Sequence, residues 1–137
     1  MAKPVGLDYD TSFSRKPLAV LLRRLAYRLV IWLPVKALAP TEVLGIQRLD
    51  KVDLPVIVVA NHQSHADTSV LLAALPARLR RRMVVAAAVD NFFTTHLRSF
   101  LSALLVGCIP IERFKVNRRS AELPVQLLGE GWGLLIF

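Results

Sequence analysis

The sequence predicts an α/β domain, a mostly parallel sheet with flanking helices, preceded by an amphipathic N-terminal helix. Three observations carry that reading. Four short apolar runs recur, "PVIVVA" (55–60), "MVVAAAV" (83–89), "VGCIPI" (106–111) and "WGLLIF" (132–137), each the length of a buried strand. Segments of helical character separate them, over 68–75, 92–105 and 121–128. Strand and helix in alternation imply parallel pairing through right-handed crossovers. Ahead of all this, residues 16–38 repeat their apolar positions with a helical period.

In chain order, residues 1–15 are polar and irregular. Over 16–38, Leu18, Leu21, Leu22, Leu25, Leu29, Trp32 and Leu33 fall on one helical face. Lys16, Arg23, Arg24 and Tyr27 lie opposite, with Arg28 at the edge. An in-plane helix is favoured over a bilayer span. Three Arg at roughly 2.5 to 3.5 kcal/mol each outweigh a dozen apolar residues at about −0.3 to −0.6 each, and Pro34 interrupts the run. Two arrangements stay open, a helix lying in the plane of a membrane surface and one packed on its own domain, and the Arg content with Trp32 near its end favours the membrane surface. Domain organisation is therefore 1–40 for the tail and amphipathic membrane-associated helix, and 41–137 for an incomplete α/β domain.

The first strand, 55–60, runs into "ANHQSHAD" (60–67), where an open parallel sheet places its sites. The second, 83–89, follows a basic tract containing Arg78, Arg80, Arg81 and Arg82. The third, 106–111, contains Pro110, which suits an edge or a bulge. In the last helical segment Pro124 marks the first turn. The fourth strand ends the sequence at "LLIF", and the C-terminal part of the domain is expected to be missing.

Composition narrows the partners. The 137 residues are 54% hydrophobic, yet carry 18 Lys and Arg against 10 Asp and Glu, a formal charge of +8. An apolar chain with surplus cations suits a phospholipid surface, which is both oily and anionic. Nucleic acid matches only the charge, and the aromatics do not interleave with the basic residues as base stacking requires. Cys108 is the single cysteine, so no intramolecular disulfide exists, and nothing near the start reads as a secretory signal. The expected location is the cytoplasmic face of the cell membrane, peripheral or monotopic.

The polar cluster carries the chemistry. His62 belongs to the one residue type whose ordinary pKa lies near neutrality. Asp67, five residues on, can reach back to one ring nitrogen, fix the tautomer and stabilise the imidazolium formed when the other nitrogen takes a proton. Such a general-base pair contributes about 10²–10⁴ in rate, and the nucleophile can be a hydroxyl of the substrate. A blander reading stands beside it: Ser64 to Asp67 is an S-x-x-D capping box. The two roles are compatible, since a cap would hold the turn that presents His62. Asn61 hydrogen-bonds that turn. Downstream, Gly107, Ile109, Ile111 and Arg113 alternate along a strand, bringing Arg113 to its carboxyl end, level with His62 on a neighbouring strand. A guanidinium there can grip a phosphate in bidentate fashion. Cys108 reads as a buried thiol, His65 as exposed on the turn and His96 as structural. Two His and an Asp without a clear further ligand give no metal site.

These motifs resemble the glycerolipid acyltransferases of the lysophosphatidic acid acyltransferase type. "NHQSHAD" (61–67) is similar to the family's N-H-x-S-x-x-D signature, which contains its HX4D pair, and "GCIPIER" (107–113) to its G-x-I-x-I-[DE]-R motif. "LGIQRL" (44–49) and "AAAVDNFF" (86–93) also look like family segments, so the resemblance covers about 44–137. It implies a membrane-associated O-acyltransferase of phospholipid biosynthesis. His62, supported by Asp67, would take the proton of a glycerol hydroxyl, and the oxygen would attack the thioester of acyl-CoA or acyl carrier protein, with no acyl-enzyme. Arg113 would bind the acceptor's phosphate, with Gly107, Asn61 and Ser64 also on the substrate side. No cofactor is implied beyond the acyl donor, and the acceptor is lysophosphatidate or a similar lysophospholipid. The basic groups at Arg78–Arg82 and at Lys115, Arg118 and Arg119 would meet anionic lipid or the phosphates of CoA. The family's P-E-G-T-R motif, expected directly after "LLIF", is not in these 137 residues. The alternative function is accordingly an inactive relative that binds anionic membranes.

Overall fold

A computed structural model of the chain describes residues 5–38, 42–113 and 118–137. Four strands, β1 (Ile57–Val59), β2 (Met83–Ala88), β3 (Cys108–Ile111) and β4 (Gly133–Ile136), form one sheet in the order β1-β4-β2-β3, with every pair parallel. The last strand thus inserts between the first two. Period-two alternation divides β2, β3 and β4 between two cores, while β1 turns Val58 to the first and leaves Ile57 and Val59 exposed. Met83, Val85, Ala87, Cys108 and Leu135 face one with Tyr27, Leu72, Leu75 and Phe93, while Val84, Ile109 and Leu134 face the other with Leu127. Helices therefore cover both faces, α3 (His65–Ala74) and the N-terminal helix on the first, α7 (Arg118–Gly129) on the second. The side chains of Met83, Leu54 and Val56 fill the space beside Gly133, where a Cβ would meet the Met83 sulfur.

Several expectations shift in detail. The helix expected over 92–105 is three pieces: α5 (Val89–Phe92), α6 (His96–Leu101) capped by the Thr95 hydroxyl, and a π turn, Ser102–Val106. Pro124 is not in a first turn. It lies inside α7, whose start is set further upstream at Arg118. Pro110 sits where a missing N–H is tolerated, on the edge strand β3.

The N-terminal helix is the element that pattern alone left undecided. It runs as α1 (Pro17–Ala26), a π turn (Tyr27–Trp32) and α2 (Leu33–Leu38). It does pack on the domain, but mainly through its polar side, joined after the π turn by Trp32, which the period had put with the leucines and which instead packs against the first core. The Arg23 guanidinium donates to the carbonyls of Ser14 (2.6 Å), Leu104 (2.8 Å) and Ala103 (2.9 Å). Two of these belong to the π turn before β3, where a helix end leaves carbonyls able to accept further bonds; the Ala103 carbonyl also accepts from the Gly107 N–H at 3.1 Å. Burial lowers the Arg23 pKa to about 10, still above physiological pH, so the group docks as a cation. Gly107 makes room for it. A Cβ there would stand 2.9 Å from an Arg23 nitrogen, and φ is +82°, which favours glycine. Tyr27 is buried and its hydroxyl donates to the Ser69 carbonyl, with Arg80 stacked 5.6 Å from its ring centroid. The leucine face points the other way: Leu18, Leu21, Leu22, Leu25, Leu29 and Leu33 are 48–66% exposed. No helix among the described residues is long and apolar enough to cross a membrane.

Candidate active site

The turn after β1 is built by local hydrogen bonds that the sequence encodes. Ser64, extended at φ −147°, is the N-cap of α3, and its hydroxyl accepts from the Ala66 N–H at 3.2 Å. One oxygen of Asp67 accepts from the N–H groups of Gln63 (2.7 Å) and Ser64 (2.8 Å), closing the capping box. These bonds, the Gln63 one first, hold the Asp67 carboxyl below the usual carboxylate range, and His62 adds a smaller effect of the same sign. That same oxygen lies 3.6 Å from Nδ1 of His62. The separation is longer than a formed hydrogen bond and within range of one that tightens around a substrate. Capping and histidine support are thus two uses of one carboxylate.

His62 is a little over one-third exposed, at the carboxyl end of β1. Its ring lies against Phe137, with centroids 4.4 Å apart. Phe137 follows β4, and the Ala60 N–H donating to the Ile136 carbonyl (3.1 Å) carries the β1–β4 pairing up to the site. The sequence reading missed Phe137 as a neighbour of His62, because nothing local announces that the fourth strand lies beside the first. Asn61 is exposed beside His62.

Arg113 needs a correction. It does emerge past the carboxyl end of its strand, but β3 is not a neighbour of β1. Strands β4 and β2 intervene, so the two strand ends are three spacings apart, about 14 Å at about 4.8 Å each. Its guanidinium is instead bound to the Asp90 carboxylate at 2.5 Å, just past the end of β2. Gly107 needs one as well. It precedes β3 at the amino end of the sheet, beside Arg23 and the Met83 carbonyl, and is not brought together with His62. The structure therefore joins His62, Asp67, Ser64 and Asn61, and holds Arg113 and Gly107 elsewhere.

The basic tract is mostly structural. Arg78 donates to the carbonyls of Val52 (2.6 Å) and Leu49, and Arg80 to those of Leu72, Ala73 and Leu75 at 3.2–3.3 Å. Arg82 reaches the Glu130 carbonyl (3.0 Å) and covers Trp132. Arg119 pairs with Asp8 at 2.5 Å, while Lys115 lies outside the described residues. Burial pushes the Cys108 thiol up to about 12, which suits a packed side chain and not a nucleophile. His96 is exposed and near Tyr9 (6.4 Å between ring centroids), and the side chain of His65 is outside the described set.

Comparison with known proteins gives one match. A family model described as "Acyltransferase" matches residues 41–137, the whole stretch from before β1 to the end of β4. No curated protein and no solved structure matches.

Proposed function

The chain belongs to the acyltransferase family, and from that premise we propose that it transfers a fatty acyl group from the thioester of acyl-CoA or acyl carrier protein to a hydroxyl of lysophosphatidate or a similar glycerolipid. What supports the mechanism is the His62–Asp67 pair at the end of β1, with Nδ1 3.6 Å from the carboxylate. Asp67 holds the Nδ1 side of the ring, so Nε2 is the nitrogen that takes the hydroxyl proton. The oxygen then attacks the thioester carbonyl, the C–S bond breaks, and the imidazolium returns the proton to the departing thiolate. The acceptor phosphate is met by Arg113, which has to leave Asp90 and swing toward β1. Ser64 caps the turn, and Asn61, exposed beside His62, lies on the substrate side.

The reaction takes place at the cytoplasmic face of a phospholipid membrane, with the protein peripheral or monotopic. Six exposed leucines on one helical face, in a chain of formal charge +8, support that placement. The test is release of free thiol from acyl-CoA with lysophosphatidate present, measured on vesicles. His62→Ala is expected to abolish acceptor-dependent release while vesicle binding persists; release at the original rate in that variant would refute the mechanism.

A further inference from the structure

A cavity of about 310 Å³ opens at the amino end of the sheet, between the N-terminal helix, α4 (Ala77–Arg80) and the chain entering β2 and β3. It is distinct from the capped turn: none of residues 61–67 lines it. Its size is at the lower end for small-molecule pockets, about 300–1,000 Å³. Its wall is of two kinds. One side is apolar, with Trp32, Leu72, Met83 and Val106. The other carries five arginines and no acidic residue.

Two of those arginines, Arg23 and Arg80, are committed to backbone carbonyls. The other three, Arg24, Arg28 and Arg81, have no hydrogen-bond or ion-pair partner among the described residues. Arg24, Arg28 and Arg81 are exposed. Three unpaired cations around one hollow repel one another, and a bound anion relieves that repulsion. Guanidinium groups present paired donors that match phosphate oxygens. A second feature marks the same place. Both π turns contribute to the wall, Tyr27–Trp32 through Tyr27, Arg28 and Trp32, and Ser102–Val106 through Leu105 and Val106. Such turns are rare and concentrate at functional sites, because the extra residue re-aims the side chains around it.

The depth of the cavity also follows from the helix. Its leucine face is exposed on the same helix that supplies Arg24 and Arg28. A helix about 10–12 Å across, sunk about 5–10 Å by its apolar face, keeps its flanking arginines at the level of lipid phosphates. We propose that this cavity binds the headgroup of an anionic membrane phospholipid, with Arg24, Arg28 and Arg81 on the phosphate. The glycerol and first methylenes lie against Trp32, Leu72 and Met83. The site is separate from the acceptor's, and the inference does not depend on the acyl-transfer reading.

The test is titration of Trp32 fluorescence in a Trp132→Phe background, using dihexanoyl phosphatidate below its micelle concentration. Saturable binding is expected, at least tenfold tighter than that of dihexanoyl phosphatidylcholine, inorganic phosphate or free coenzyme A. The variant Arg24→Gln/Arg28→Gln/Arg81→Gln should weaken phosphatidate at least tenfold with an unchanged melting temperature, and Leu21→Gln/Leu25→Gln should leave that binding intact. Arg113→Ala should leave it intact too, which separates this site from the acceptor's. An unchanged Kd in the triple arginine variant overturns the proposal. So does equal binding of phosphatidylcholine, which would make the hollow merely apolar. Equal binding of inorganic phosphate would leave an anion site without lipid, and equal binding of coenzyme A would assign the arginines to the donor. Loss of binding with the leucine variant would reduce it to adsorption on the exposed face.

Discussion

The orientation of the N-terminal helix can be tested by substituting its two faces separately. Arg23→Met keeps most of the apolar stem and removes three hydrogen bonds from a cation to carbonyls, at 2.6, 2.8 and 2.9 Å. Bonds to a charged group contribute roughly 1.5–3 kcal/mol each. Three on one guanidinium are not additive, and water can reach a partly buried site, so the expected loss is about 2–4 kcal/mol. Against a domain stability of about 5–15 kcal/mol that is a large fraction. With a urea dependence of about 2 kcal/mol per M, the unfolding midpoint drops by about 1–2 M. Arg24→Met, one residue along on an exposed side chain, should stay within about 0.5 kcal/mol. So should Leu21→Gln and Leu25→Gln, because those side chains are 50% and 51% exposed. Urea unfolding followed by circular dichroism measures all four. If the helix were instead docked by its leucines, truncating them would cost about 2–5 kcal/mol each and Arg23→Met would cost little. That inverted ranking would refute the arrangement, and with it the argument that the leucine face is available to lipid.

Asp67→Asn should lower thiol release by a large part of the 10²–10⁴ that a general base contributes, with roughly unchanged acceptor KM. The Asp67 carboxyl titrates below its ordinary value in the folded chain. Its contribution to the α3 cap is therefore complete above about pH 4 and is lost as pH falls through the folded value. The stability difference between the native chain and Asp67→Asn should be flat at higher pH and shrink below about pH 4. Arg113→Ala should raise acceptor KM more than it lowers kcat, and an unchanged KM would remove Arg113 from the acceptor site. Cys108, with its thiol near 12 and 3% exposed, should resist iodoacetamide at pH 8 and react at once in urea. Alkylation of the folded chain at the unfolded rate would contradict its burial.

What was legible in the sequence was what is local. The capping box from Ser64 to Asp67, the His62 turn and four strands each depend on residues a few positions apart, and each stands close to where the pattern put it. Strand order is different, because it is set by pairing across the chain. The placement of Arg113 beside His62 assumed that the strand carrying it adjoins the first, and β4 and β2 occupy that space. Phe137 against His62 was hidden for the same reason. The π turns were invisible too, since a single i→i+5 turn is a local insertion that no residue type in the pattern announces. Periodicity likewise separated two faces of the N-terminal helix without saying which one meets the protein. That choice was made by the carbonyls of Ser14, Ala103 and Leu104, the last two some 80 residues downstream.

That inverted docking has a physical logic. An amphipathic helix packed by its apolar side hides the only surface it could offer to lipid. Here the attachment is made by Arg23, Tyr27 and Ala19, which together need little apolar area. Gly107, which the motif resemblance had put on the substrate side, has a steric task in this attachment: it clears the space that the Arg23 guanidinium fills. A Gly107→Ala change should therefore act on the helix before it acts on chemistry. The glycine and the arginine sit at one end of the sheet and the histidine at the other, so the chain separates what holds the helix from what moves the proton.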